Sequence, residues 1–170
     1  MEYSSLIVTT QNAYDDSYVV NDTIRYITRT REKDKNSSDI LCYGAVGLSS
    51  NPDKMIEQMK ITQNLNGIDK KGGRRIYQEI YGLGKLKNPN ISEINKFARE
   101  CAKEYYSQGH QVAYGVHQKL DGSTHIHFIV NTINHNTHRK LHDYFGNRSD
   151  RENRFNSIRT MYKFEGRKNE

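Results

Sequence analysis

His117-Gln118-Lys119-Leu120-Asp121-Gly122-Ser123-Thr124-His125-Ile126-His127 is the stretch whose reading decides the fold. It lies between two runs of strand character, Gln111 to Lys119 and Thr124 to Ile133, with turn residues in the middle. Residues two apart on a strand share a face, so His125 and His127 project together while Ile126, Phe128 and Val130 point to a core. The register decides whether His117 joins them. A two-residue loop at Asp121-Gly122 sets His117 opposite Ile126, on the wrong face. A three-residue loop, Leu120-Asp121-Gly122, sets it opposite His125 and needs a left-handed residue last, where Gly122 stands. The second register gathers three imidazoles on one face. Ala113 and Gly115 share that face, and their small side chains are expected to leave room for a substrate backbone.

Outward from the hairpin, the chain alternates between the two periodicities. Leu6 to Thr10, Ile40 to Leu48 and Arg75 to Leu83 read as strands. Val19 to about Arg31 has helical spacing with Asp16 or Ser17 as cap, and Asn51-Pro52 opens a second helix to about Leu65. A third, Ile91 to Tyr106, is capped by Ser92 or Asn90, and a last basic helix runs from Asp150 to Phe164. Arg29 to Asp39 is expected to be a mobile loop and Gly67 to Gly73 a turn or flexible loop. The order predicts one α+β domain with a central antiparallel sheet.

Composition sets bounds on function. The apolar fraction is 34%, too low for a membrane protein, and no apolar run reaches the length of a span. Met1-Glu2-Tyr3-Ser4-Ser5 lacks the basic n-region and long apolar h-region of a signal peptide, and a cytoplasmic location without membrane insertion is the expectation. Cys42 and Cys101 are too few for a disulfide framework and read as free, buried thiols. The formal charge of +6 admits a polyanionic partner without proving one.

Three neutral imidazoles suit a divalent ion and leave coordination positions open for water or a phosphate oxygen. His110, His135, His138 and His142 lack such a pattern and read as surface residues. In the first helix Val20, Ile24 and Ile27 form the buried stripe, and Tyr26 lies roughly 125° from its centre at about 100° per residue. An off-core tyrosine between Arg25 and Arg29 is suited to meet a phosphate.

With these residues in view, the chain resembles the relaxases of the MobA-like mobilisation family, which belong to the HUH endonucleases. The resemblance rests on Ile24-Arg25-Tyr26-Ile27-Thr28-Arg29, on Arg75-Ile76-Tyr77-Gln78-Glu79-Ile80, and on His117…His125-Ile126-His127-Phe128-Ile129-Val130-Asn131, followed by Asn134 and Lys140-Leu141-His142. It implies a sheet of about five strands with packed helices. It implies that His117, His125 and His127 hold a divalent metal, Mn²⁺ or Mg²⁺, and that Tyr26 is the nucleophile, with Tyr14 and Tyr18 in reserve. Relatives often carry an acidic residue after the first histidine, where Gln118 and Lys119 stand here. They often carry histidine or serine in the middle motif, where Gln78 and Gly82 stand, so that motif receives no catalytic role.

The implied activity is strand-specific nicking and rejoining of DNA at an origin of transfer, in plasmid mobilisation or conjugation, through a 5′-phosphotyrosine. A phenol is mostly protonated at neutral pH, so it needs help, and Glu79 is one carboxylate that could face the site. Arg25, Arg29, Lys71, Arg74, Arg75 and Lys140, with Arg31, Lys70 and Arg139, are the expected contacts to single-stranded DNA. Accessory DNA-binding and coupling proteins are further implied partners. Relaxases usually carry more chain after this domain, so residues 1–170 are read as one catalytic domain, either a fragment or a short form. Two other readings compete. A rolling-circle initiator or HUH transposase would use a tyrosine after His127, Tyr144 or Tyr162. A metal-stabilised accessory module would bind DNA without cutting it.

Overall fold

The computed structural model describes residues 6–9, 14–141 and 148–166. Five antiparallel strands form one sheet in the order β1-β3-β5-β4-β2: β1 (Leu6–Thr9), β2 (Ile40–Val46), β3 (Ile76–Lys85), β4 (Val112–Gln118) and β5 (Ser123–Asn131). The helices are α1 (Val19–Thr28), α2 (Pro52–Asn66), α3 (Ile68–Lys71), α4 (Ile91–Tyr106) and α5 (Arg148–Arg159). The α+β expectation and the five-strand sheet both hold. No helix among the described residues is long and apolar enough to cross a membrane.

The sheet is buried on both faces. On one, Ile76, Ala113 and Ile129 meet Val20, Ile24 and Ile27 of α1 and Met55, Ile56 and Met59 of α2. On the other, Tyr81, Tyr114, Val116, Ile126, Phe128 and Val130 meet Phe97, Cys101 and Tyr105 of α4 and Phe155 of α5. Alternation along β5 divides the two cores, and it does so because the hairpin has the three-residue register. His117 pairs with His125 and Gln118 with Thr124, while Lys119 and Ser123 close the loop and Gly122 takes φ +86°. Gln118 Nε2 donates to the carbonyls of Leu86 and Gly122 and to Thr124 Oγ1 and so fastens the hairpin end.

Local signals explain the helix ends. The Asn51 side chain accepts from Lys54 N–H, Pro52 begins α2, and Gly67 ends it in the left-handed region. Asn90, rather than Ser92, caps α4. Asp16 tethers the start of α1 by accepting from Tyr18 N–H, although Tyr18 is the capping residue.

Several expectations are corrected. Helix α1 stops at Thr28 instead of Arg31, because Arg29 adopts φ +55° and sends its guanidinium to Asp39. The Arg29 to Asp39 segment is pinned by Arg29–Asp39 and Arg31–Asp34 pairs and holds a short 3₁₀ turn, Glu32–Asp34. Gly67 to Gly73 contains α3, which sinks Ile68 into the interior. Helix α5 ends at Arg159. His110 is a core residue bonded to the Asn131 carbonyl, and His135 stacks on Tyr106; His138 is exposed and His142 lies outside the described residues. Both cysteines are free; Cys101 is buried, whereas Cys42 is only partly so by exposed surface.

The space expected for substrate beside Gly115 is filled by the protein. A Cβ there would stand 2.1 Å from the Ile27 carbonyl oxygen. Helix α1 thus packs its backbone against β4, a contact only glycine allows. Gly115→Ala is expected to push α1 off the sheet and lower stability by about 1–3 kcal/mol, read from denaturant midpoints. An unchanged midpoint would contradict the close contact.

Candidate metal centre and nucleophile

β4 and β5 present His117, His125 and His127 on the α1 face, and one ring nitrogen from each can be chosen so that all lie within 4.8 Å of one another. His117 and His127 are buried, His125 half-buried. The ring centroids are 4.6 to 5.7 Å apart. Each imidazole is held neutral. Burial pushes His125 down to about 4 and His127 to about 2, with the neighbouring imidazoles adding to the shift. His117 is lowered too, again mainly by burial, against the opposing effect of its bond to Ile27.

The ring nitrogens show which lone pairs are available. His117 Nε2 lies 2.8 Å from the Ile27 carbonyl, which can only accept, so the proton sits on Nε2 and Nδ1 keeps the lone pair. That Nδ1 is 3.3 Å from Arg29 Nη2. His127 Nδ1 is engaged by Gln78, and its Nε2 is buried without a hydrogen-bond partner among the described residues. A buried polar atom left unpaired costs about 1–3 kcal/mol, and a divalent ion is one partner that would remove the cost. The donor set fits such an ion.

Tyr26 closes the site from α1. Its ring stands edge-on to His117 and His127, with centroids at 5.8 and 5.7 Å. The guanidiniums of Arg29 and Arg31 lie over it at 4.5 and 4.8 Å. Tyr26 is off the core stripe, as its helix phase indicates, and half-buried because α1 lies on the sheet beside the imidazoles. Asp39 orients Arg29 with two bonds, and Arg29 in turn holds the Asp39 carboxyl well below the usual carboxylate range. A non-glycine residue at positive φ costs of order 1–3 kcal/mol. Here it turns Arg29 back over Tyr26, with Nη1 bonded to the Tyr26 carbonyl.

Other expected residues are distributed differently. Tyr18 is 70% exposed and touches none of the imidazoles, whereas the Tyr14 hydroxyl bonds Gln78. Glu79 faces the opposite core, fully buried between Arg151 and Tyr105, and so is removed from consideration as a proton acceptor at the site. Its neighbours on β5 are Phe128 and the α4 face, one residue out of phase with His127. Arg75 is 6% exposed and paired with Asp69, and Arg25 is paired with Asp53. Lys71, Arg139 and Lys140 line a cavity of about 570 Å³ with Asn66, Gly72 and His138. Burial and then Arg74 and Arg75 lower the Lys140 ammonium, which marks a concentration of positive charge. Sequence reasoning missed Asp39 and Gln78. The period-two pattern of β3 could have placed Gln78 with Ile76 and Ile80, but not which face carried the histidines.

A tyrosine on a helix, edge-on to two of three clustered imidazoles on a central hairpin, is the arrangement that the resemblance to relaxases implies. The family model described as "Relaxase: MobA/VirD2-like, nuclease domain" matches residues 18–164. The chain belongs to that family. Neither curated proteins nor solved structures gave a match. The family's nuclease domain therefore spans every element from α1 to α5, with the whole site inside it.

The depressed imidazoles carry a pH signature. Unfolded histidines titrate near 6.5 and these titrate lower, so between the two values the unfolded chain binds more protons. Stability of the metal-free relaxase domain is complete above about pH 6.5 and falls as pH drops from there toward 4. Melting temperature followed by circular dichroism should show this slope between pH 6.5 and 5, and His127→Asn should make it shallower. Equal slopes in the two proteins would contradict the assignment.

Proposed function

We propose that this relaxase domain nicks and rejoins one strand of DNA at an origin of transfer by transesterification, with Tyr26 as the nucleophile. The observation that carries the reading is the position of the Tyr26 ring, beside two imidazoles and within reach of two guanidiniums. In the forward step the Tyr26 oxygen bonds to phosphorus and the bond to the 3′ oxygen breaks. A 5′-phosphotyrosine and a free 3′-hydroxyl result, and the phenol proton is balanced by the one the leaving oxygen gains. Because the phosphodiester energy is kept, attack by a 3′-hydroxyl reverses the step.

Arg29 and Arg31 are placed to meet the charge of the scissile phosphate, and Asp39 keeps Arg29 aimed. A divalent ion held by His117, His125 and His127, manganese or magnesium in our reading, would polarise that phosphate and neutralise its non-bridging oxygens. Burial of His117 and His127 keeps their lone pairs free of protons at neutral pH. Away from the reacting atoms, Arg74 lies over the rings of Tyr14 and Tyr77, a surface on which an unstacked base can rest. Beyond it the Lys71, Arg139 and Lys140 cavity supplies charge for the strand backbone. By family resemblance we place the activity in plasmid mobilisation or conjugation, in the cytoplasm, with accessory DNA-binding and coupling proteins.

The deciding experiment incubates the protein with labelled single-stranded origin DNA, with and without Mn²⁺, and maps any covalent adduct by mass spectrometry. A metal-dependent adduct on Tyr26, absent in Tyr26→Phe, is expected. An adduct on Tyr144 or Tyr162 would instead make the chain an initiator or transposase. Tyr144 is outside the described residues, and Tyr162 packs on Phe97 in the core of the opposite sheet face. Tight binding with no adduct would favour the accessory module.

The DNA surface has its own test. Affinity for single-stranded DNA should fall steeply with salt, with a log–log slope of about −0.7 per phosphate neutralised. Combining Lys71→Ala with Lys140→Ala should make that slope shallower by about 1.4 if each lysine meets one phosphate. A slope unaffected by the pair would remove the cavity from the DNA path.

A further inference from the structure

β3 brings to the site a residue to which no motif gave a role. Gln78 is 9% exposed; its Nε2 lies 2.8 Å from His127 Nδ1, and its Oε1 accepts from the Tyr14 hydroxyl at 3.0 Å. We propose that Gln78, braced by Tyr14, is the positioning residue of the metal centre, selecting which nitrogen of His127 carries the proton and turning its amide over when Nε2 takes a metal. This rests on reading the three histidines as a metal site.

The argument is one of donors and acceptors. With the Gln78 amide nitrogen donating to Nδ1, the neutral His127 ring must carry its proton on Nε2. That Nε2 is the buried atom without a partner among the described residues. To ligate a metal there, the ring must move its proton to Nδ1, and Nδ1–H then needs an acceptor. A half-turn of the Gln78 amide supplies its carbonyl oxygen in the same place. The amide nitrogen then faces Tyr14, whose hydroxyl can accept as readily as donate. Both arrangements leave this chain of contacts paired, and the side chain need not leave its pocket. Glutamate could serve only the metal-ready state, and an apolar side chain neither. Glutamine suits a ligand that must exist in two protonation patterns.

The test measures Mn²⁺ affinity by calorimetry on the whole protein. Gln78→Leu should weaken binding about 10- to 100-fold, the usual effect of losing a partner behind a metal-bound histidine. Gln78→Glu should tighten it, and Tyr14→Phe should weaken it only a few-fold. Ring-nitrogen NMR supplies a readout that lost packing would not give. In the wild type the His127 proton should move from Nε2 to Nδ1 when diamagnetic Zn²⁺ is added. In Gln78→Glu it should already sit on Nδ1 without metal. If Gln78→Leu does not fold, the glutamate variant and the wild-type spectra decide. Mn²⁺ binding that is indifferent to position 78, or a His127 proton that stays on one nitrogen, would overturn the role of Gln78 and leave the metal site standing. A wild-type protein that binds neither ion would overturn both.

Discussion

The pairing of His117 with His125 across a three-residue loop is the constraint on which the rest of the structure depends. A slip of one residue in a strand exchanges its two faces. Here a slip of β4 against β5 would carry His117 to the face of Ile126 and Phe128 and turn Tyr114 and Val116 toward α1. The register is therefore held from two directions. Gly122 provides the left-handed end of the loop, and two separate apolar cores reject the alternative. Because β5 is central, flanked by β3 and β4, the three histidines stand in the middle of the sheet.

The second requirement is close approach of α1. Gly115 lets the Ile27 carbonyl reach the sheet, and the same carbonyl takes the His117 Nε2 proton. One backbone oxygen thus joins helix packing to the tautomer of His117. The preceding residue, Tyr26, is set beside the imidazoles by that contact, and Arg29 is folded back over it by a left-handed turn. Tyr26 and His117 are thus spaced by a helix and a strand, with Arg29 at the helix end.

Much of this was legible in the sequence because it depends on short-range periodicity. The three-residue register was one of two that the turn residues allowed, with Gly122 at its left-handed position, while the phase of Tyr26 followed from Val20, Ile24 and Ile27, and the start of α2 from Asn51-Pro52. What escaped was pairing between distant elements. Asp39 meets Arg29 across a segment whose composition suggested mobility, and Glu79 finds Arg151 from the far end of the chain. Strand alternation separates Glu79 from Ile76 and Ile80, and the expectation that Glu79 faced the site failed because the histidines lie on the other face. Which face held the histidines depended on β3 lying beside β5, a fact of topology that no local pattern carries. His110 read as a surface residue because nothing nearby in sequence shows that the Asn131 carbonyl awaits it.

The electrostatics follow from that division between local and distant. Desolvation keeps the three imidazoles neutral, so they are available as ligands but carry no charge toward DNA. The positive charge comes from guanidiniums, which do not lose their protons and so remain cationic when buried. Arg29 retains its charge despite partial burial because Asp39 supports it first and most strongly. Were histidines to supply both functions, proton and metal would compete for the same lone pairs and the field at the phosphate would change with pH. The imidazoles are thereby kept neutral by burial, while the positive charge beside Tyr26 is held by the Arg29–Asp39 pair.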